Sequence, residues 1–82
     1  MMQGTAKLLV DCVVGETGRI LAFAPRSEVK HRAKFLAMGL LPGTEFAVEQ
    51  VAPLGDPLVI RLRGLLLTLR RQEALMFQVE AQ

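Results

Sequence analysis

Two corners set close together constrain this chain more than any other feature. In Met38-Gly39-Leu40-Leu41-Pro42-Gly43-Thr44-Glu45, Gly39 can take the left-handed conformation that ends a helix. Pro42-Gly43 then turns the chain, and β-prone residues follow at once. About ten residues later comes a second corner, Ala52-Pro53-Leu54-Gly55-Asp56-Pro57. It leads into Leu58-Val59-Ile60-Arg61-Leu62-Arg63, which alternates like a strand. A helix-to-strand corner followed at this spacing by a strand-to-strand corner suits a small barrel.

Length limits what such a barrel can be. With 82 residues there is room for one domain, spanning 1–82, and one small core, with little space for a buried catalytic cavity. Hydrophobic residues make up 51% of the chain, but charge, Gly or Pro interrupts them well before the roughly 18 apolar residues that span a bilayer. The expectation is a soluble protein with no direct membrane insertion. Met1 to Lys7 leads into Leu8-Leu9-Val10, but Asp11 follows at once without a small-residue cleavage site, so no signal peptide is expected. The single cysteine, Cys12, excludes an internal disulfide and suits a reducing compartment, where it serves as a small buried hydrophobe. A net charge of +2, no Trp, no Tyr and four Phe are poor equipment for binding nucleic acid.

The elements follow from patterning. Arg19 to Ala24 reads as an apolar strand covered on both faces and ended by Pro25. Ser27 is placed as an N-cap and Glu28 suits the positive end of a helix dipole, which predicts an α-helix over about 28–38 stopped by Gly39. Val29, Ala33, Leu36 and Ala37 form its apolar stripe. Phe46, Val48 and Gln50 alternate with Glu45, Ala47 and Glu49, which places both glutamates outward. Leu58, Ile60 and Leu62, then Leu65, Leu67 and Leu69, supply the inward faces of a hairpin with Gly64 at its tip. Arg71 to Ala74 makes a short crossing, and Phe77 and Val79 belong to a closing strand. The sum is a mainly β chain: a small SH3-like barrel of about five strands with one inserted α-helix.

The residues from Phe35 through Met38-Gly39-Leu40-Leu41-Pro42-Gly43-Thr44 to Glu45 resemble the helix end and corner of the FeoA family, accessory proteins of bacterial ferrous iron transport. Ala52-Pro53-Leu54-Gly55-Asp56-Pro57 and Leu67-Thr68-Leu69-Arg70-Arg71-Gln72-Glu73-Ala74 are similar to that family's second corner and its closing strand with the crossing turn. The likeness runs from about Gly15 to Val79 in order and spacing. Two departures stand out. Met1 to Val14 is more apolar than the family's usual opening, and Leu65-Leu66 replaces the aromatic and basic residues often found after the hairpin glycine. The resemblance implies a bacterial, cytoplasmic accessory protein that works by protein–protein interaction with FeoB, the membrane protein that carries a GTPase domain and moves ferrous iron. It also implies peripheral association with the inner membrane through FeoB. A regulatory domain like the SH3-like domain at the end of metal-dependent repressors is the alternative.

Catalysis and metal binding find little support in the residues themselves. There is no G-x-x-x-x-G-K-[ST] loop, no H-E-x-x-H, no paired His/Cys spacing, and His31 is the only histidine. His31 lies among Lys30, Arg32 and Lys34, which repel a cation, so transition metal ion binding is expected to be weak at most and no cofactor is expected. Asp56 reads as an Asx-type turn residue. His31, Phe35 and Met38 lie nearly opposite the apolar stripe, Lys30 and Lys34 flank it, and Leu65 and Leu66 make the hairpin tip apolar. These seven are the candidate partner-binding residues, with a weak homo-oligomer a second use for the tip. For Phe35 and Met38 a second reading stays open, in which Leu40 or the N-terminal segment covers them as core.

Overall fold

The structure is a computed structural model and describes residues 5–24 and 29–82, with the backbone alone at Thr5, Val29, Lys30 and His31. The expected N-cap at Ser27 and the roles of Pro25 and Glu28 lie outside the described residues. In chain order the elements are β1 (Thr5–Leu8), β2 (Thr17–Phe23), α1 (Val29–Ala37), β3 (Glu45–Val51), β4 (Leu58–Leu62), β5 (Leu65–Leu69), α2 (Arg71–Ala74) and β6 (Phe77–Ala81). All pairings are antiparallel, and the strands run in the order β1-β6-β2-β3-β4-β5. This is the expected mainly β, SH3-like architecture. The described residues form six strands, because Thr5–Leu8 pairs with β6 in a stretch of sequence that carries no turn signal.

Two irregularities bend the sheet around its core. The register shifts between Ile20 and Ala22 where β2 meets β6, and between Val48 and Gln50 where β3 meets β4. An extra residue on one strand sharpens its twist, which a sheet of short strands needs in order to curl on itself. Leu21, at the first irregularity, is exposed, so β2 is not covered on both faces as its composition suggests. The second breaks the alternation of side chains, and Gln50, just past it, is exposed although Phe46 and Val48 are buried.

The helix-to-strand corner is built as its sequence demands. Gly39 has φ +95°, the Leu40 N–H donates to the Phe35 carbonyl at 3.0 Å, and the Gly39 N–H donates to the Leu36 carbonyl at 3.1 Å. Those two bonds are a Schellman cap, which satisfies carbonyls that a helix end leaves unpaired. Gly43, at φ +90°, follows Pro42 in the next turn, and the Thr44 N–H closes it on the Leu41 carbonyl at 3.0 Å. The turn is tied to β2 by Gly43 N–H to the Ile20 carbonyl (2.7 Å) and Ile20 N–H to the Thr44 carbonyl (2.9 Å). A Cβ on Gly39 would meet nothing within 4 Å, so substitution there tests backbone strain alone. Gly39→Val should cost about 2 kcal/mol, since a β-branched residue is held in the left-handed region, and Gly39→Asn clearly less. Thermal melts of the two variants check the order. A Gly39→Val protein that melts with the parent would show that the cap is not needed.

The helix buries a face different from the one its pattern suggests. Phe35 is 1% exposed, whereas Ala33 and Ala37 face solvent and Leu36 is 40% exposed. Two alanines weigh as much as any apolar residue in a periodicity count, yet one phenylalanine removes far more area from water. The Phe35 ring meets Phe77 of β6 edge-on, centroids 5.1 Å apart, and Phe77 contacts Phe23 of β2 at 5.2 Å. Leu9, Ile20, Leu40, Ile60, Leu69 and Val79 are among the residues that complete the same core. Cys12 belongs to it as well, as its residue type suggests.

Candidate partner-docking surface

The β4–β5 hairpin turns on Arg63-Gly64 alone, with φ +52° and +79° at the two positions. A two-residue turn of that shape matches the strands' right-handed twist, and it leaves Leu65 directly across from Leu62. Leu62 is buried, while Leu65 and Leu66 are 64% and 59% exposed. The inward stripe expected at Leu65, Leu67 and Leu69 is therefore graded. Leu69 is buried, Leu67 is half-buried and Leu65 is open, because among the described residues β5 is an edge strand with only β4 beside it. Leu66 faces outward with Arg61 as its cross-strand partner. Arg61 is engaged by Glu49, Nε to Oε2 at 2.7 Å, which holds the carboxyl below and the guanidinium above their ordinary pKa values.

The other half of the expected surface is changed by the fold. Phe35 leaves it and becomes core, for the packing reason given above. Lys34 stays exposed, with its Nζ 5.3 Å from the Phe35 ring centroid and 3.4 Å from Glu73 Oε2 on α2. Met38 is 37% exposed. The side chains of Lys30 and His31 lie outside the described residues. The helix side rests on β6 and β2, whereas the hairpin tip belongs to β5, three places from β2 in the sheet. The fold thus anchors the two groups separately. Leu36 was assigned to the core and joins the exposed group instead. Arg32 lies with its guanidinium 6.0 Å from the Phe23 ring centroid, and its buried Nε has no hydrogen-bond partner among the described residues.

Ionisable groups elsewhere serve structure. Asp56 does not close a local turn, since its Oδ1 accepts the backbone N–H of Arg71 at 3.1 Å and ties the second corner to α2. Glu16 accepts from Lys7 Nζ at 2.7 Å and from the Val13 N–H at 2.8 Å, which pins the loop after β1. Lys7 and then that N–H hold the Glu16 carboxyl below its usual range, and Glu16 raises Lys7 in return. Burial, with Glu16 second, pushes the Cys12 thiol up to about 11, so it stays protonated and inert near neutral pH.

The pair has a defined pH signature. A carboxyl depressed in the folded state stabilises above its unfolded pKa of about 4.3, and the gain disappears as pH falls through the folded value. Lys7, raised in the folded state, contributes fully below about 10.4 and loses that contribution as pH rises through its folded value. Glu16→Gln should therefore cost about 1 kcal/mol at pH 7, with the gap to the parent closing on acidification. Urea titrations at pH 7 and at lower pH measure it, and a gap that does not narrow on acidification would refute the ionic assignment.

Among the described residues no three His, Cys, Asp or Glu side chains converge into a metal-holding group. None of the described helices is long and apolar enough to cross a membrane. The described residues form a small bent barrel with an open apolar hairpin tip.

Comparison with known proteins identifies the family. The model of the FeoA domain matches residues 7–81, and the chain belongs to the FeoA family, small accessory domains associated with ferrous iron transport. A FeoA-like protein from Clostridium acetobutylicum is 38% identical with TM-score 0.78, over 98% of this chain and 88% of that one. The FeoA protein from Chlorobium tepidum is 32% identical with TM-score 0.80, over 90% and 69%. A manganese-dependent transcriptional repressor shares the fold at 15% identity, TM-score 0.85, with this chain matching 45% of its length.

Proposed function

We propose that this chain is a non-catalytic accessory module that docks on the cytosolic side of FeoB and modulates its GTPase or transport cycle. The observation that carries the reading is the pair Leu65 and Leu66, both more than half exposed on an uncovered edge of the sheet, in a chain that belongs to the FeoA family. Two adjacent leucines held by a rigid hairpin, with arginines around them, have the anatomy of a small interface anchor. Lys34 and Met38, on the separately anchored helix, supply a secondary contact. Such a module acts in the cytoplasm and reaches the inner membrane only through its partner.

Co-purification with FeoB, with GTP hydrolysis measured in the same sample, tests this reading. A Leu65→Ser, Leu66→Ser double variant should stay folded, because both side chains are already in water, and should bind FeoB about thirtyfold more weakly, the equivalent of about 2 kcal/mol. Unchanged binding by the folded variant would remove the hairpin from the interface. A parent chain that FeoB does not retain would sink the docking reading itself. The alternative, a regulatory domain of the metal-dependent repressor kind, rests on likeness of fold alone and needs an attached DNA-binding helix pair.

A further inference from the structure

We propose that the open edge of β5 takes up, by strand addition, an extended segment of a partner protein whose apolar residues are flanked by acidic ones. This deepens the docking reading and rests on it only for the partner's identity.

Among the described residues β5 stands last in the sheet and pairs with β4 alone. Because the Arg63-Gly64 turn is closed by Leu62 and Leu65, those two residues exchange the first pair of hydrogen bonds across the hairpin. Alternation then turns the N–H and C=O groups of Leu66 and Thr68 away from β4, toward the open side. Natural sheets blunt such an edge with lysine, proline, a bulge or a very short strand. β1, at the opposite edge, is four residues long and carries Lys7. β5 has none of these protections: Leu65-Leu66-Leu67-Thr68-Leu69 is uncharged, and its register with β4 runs without a shift. Leu65 and Leu66 project on opposite faces, so an added strand would cover one leucine on each side.

Charge selects the occupant. Arg63 precedes the strand and Arg70 and Arg71 follow it, and among the described residues the side chains of Arg63 and Arg70 have no ion-pair partner. Two copies pairing edge to edge about Leu67 would set Arg63 of each against Arg71 of the other. Pairing about Thr68 would set Leu65 and Leu66 against Arg71 and Arg70. Like charges directly opposed across strands are destabilising, which counts against the first pairing, and the second leaves Arg70 and Arg71 facing leucines; a partner strand with carboxylates at its ends would instead pair with Arg63, Arg70 and Arg71. Main-chain bonds would supply affinity, and the alternating side chains and terminal charges specificity.

The test uses the full chain, isotope-labelled, and a short peptide with a Val-Thr-Val-Thr-Val centre and a pair of glutamates at each end. The expected result is saturable binding with slowed amide exchange at Leu66 and Thr68. A counterpart ending in lysines should bind about tenfold more weakly. Thr68→Pro, which removes an outward donor without cutting the ladder to β4, should abolish binding. Leu66→Lys, the milder edge change, serves if the proline variant does not fold. Arg63→Glu with Arg70→Glu should reverse the preference between the peptides.

Unprotected Leu66 and Thr68 amides with either peptide, or equal binding of both, would overturn the proposal. So would protection of those amides in a concentration-dependent dimer without peptide, which would name a second copy as the occupant. FeoB retention separates this inference from the docking reading. If folded Thr68→Pro still binds FeoB as the parent does, strand addition falls and docking stands. If FeoB does not retain the parent while the peptide result holds, docking falls and the edge site stands.

Discussion

Phe35→Ala should destabilise the protein by about 3–5 kcal/mol, a large part of the stability a domain this small can have. The ring is 1% exposed, packs edge-on against Phe77, and belongs to the residue whose carbonyl accepts the Leu40 N–H in the helix cap. Its loss would leave a cavity between α1 and β6 and free the helix from its main apolar anchor. For a domain of this size the melting temperature should drop by roughly 15 °C or more. Leu36→Ser on the same helix is the control, because a side chain 40% exposed should cost no more than about 1 kcal/mol. The pair decides which face of α1 is buried. A Phe35→Ala protein as stable as the parent, or a Leu36→Ser protein that unfolds, would show that the helix is turned the other way.

Gly18→Ala, the addition of one methyl group, should cost about 3 kcal/mol. A Cβ at Gly18 would run into the carbonyl oxygen of Glu80 and lie 3.1 Å from Cζ of Phe46 and 3.2 Å from Cα of Ala81. The Phe46 ring could turn aside. Glu80 and Ala81 are backbone of β6, which is held between β1 and β2, so relieving the contact means opening the sheet near its centre. Denaturant unfolding gives the cost, and hydrogen exchange should place the loss of protection at the β2–β6 pairing. Gly39→Ala, in open space, should be milder despite its positive φ. If Gly18→Ala were the milder of the two, the close approach of β2 and β6 would be wrong.

Local chemistry was legible wherever a residue type admits few conformations. Gly39, Pro42-Gly43 and Gly64 mark their turns by what their backbones can adopt, and the structure has a helix cap and two turns at those places. The alternation Leu58, Ile60, Leu62 likewise named the buried face of β4. The resemblance carried by the two corners and the crossing turn reached the family that residues 7–81 match. Within the candidate surface, exposure of Leu66 followed from alternation alone.

Other features depended on contacts between distant segments. β1 has no local signal, because its pairing is specified by β6, over sixty residues away in the chain. Gln50 is exposed because a bulge resets the alternation of β3, and a bulge is a property of two strands together. The helix face, and with it the removal of Phe35 from the docking surface, was settled by where Phe77 and Phe23 present their rings. The openness of Leu65 came from the position of β5 at the end of the sheet. The sequence by itself determined the turns and the buried face of β4, since these follow from steric limits and periodicity within a few residues, and its motifs carried the resemblance to the family. Only the tertiary structure decided which apolar side chains are core and which are left to a partner, because burial is decided by what packs on the other side.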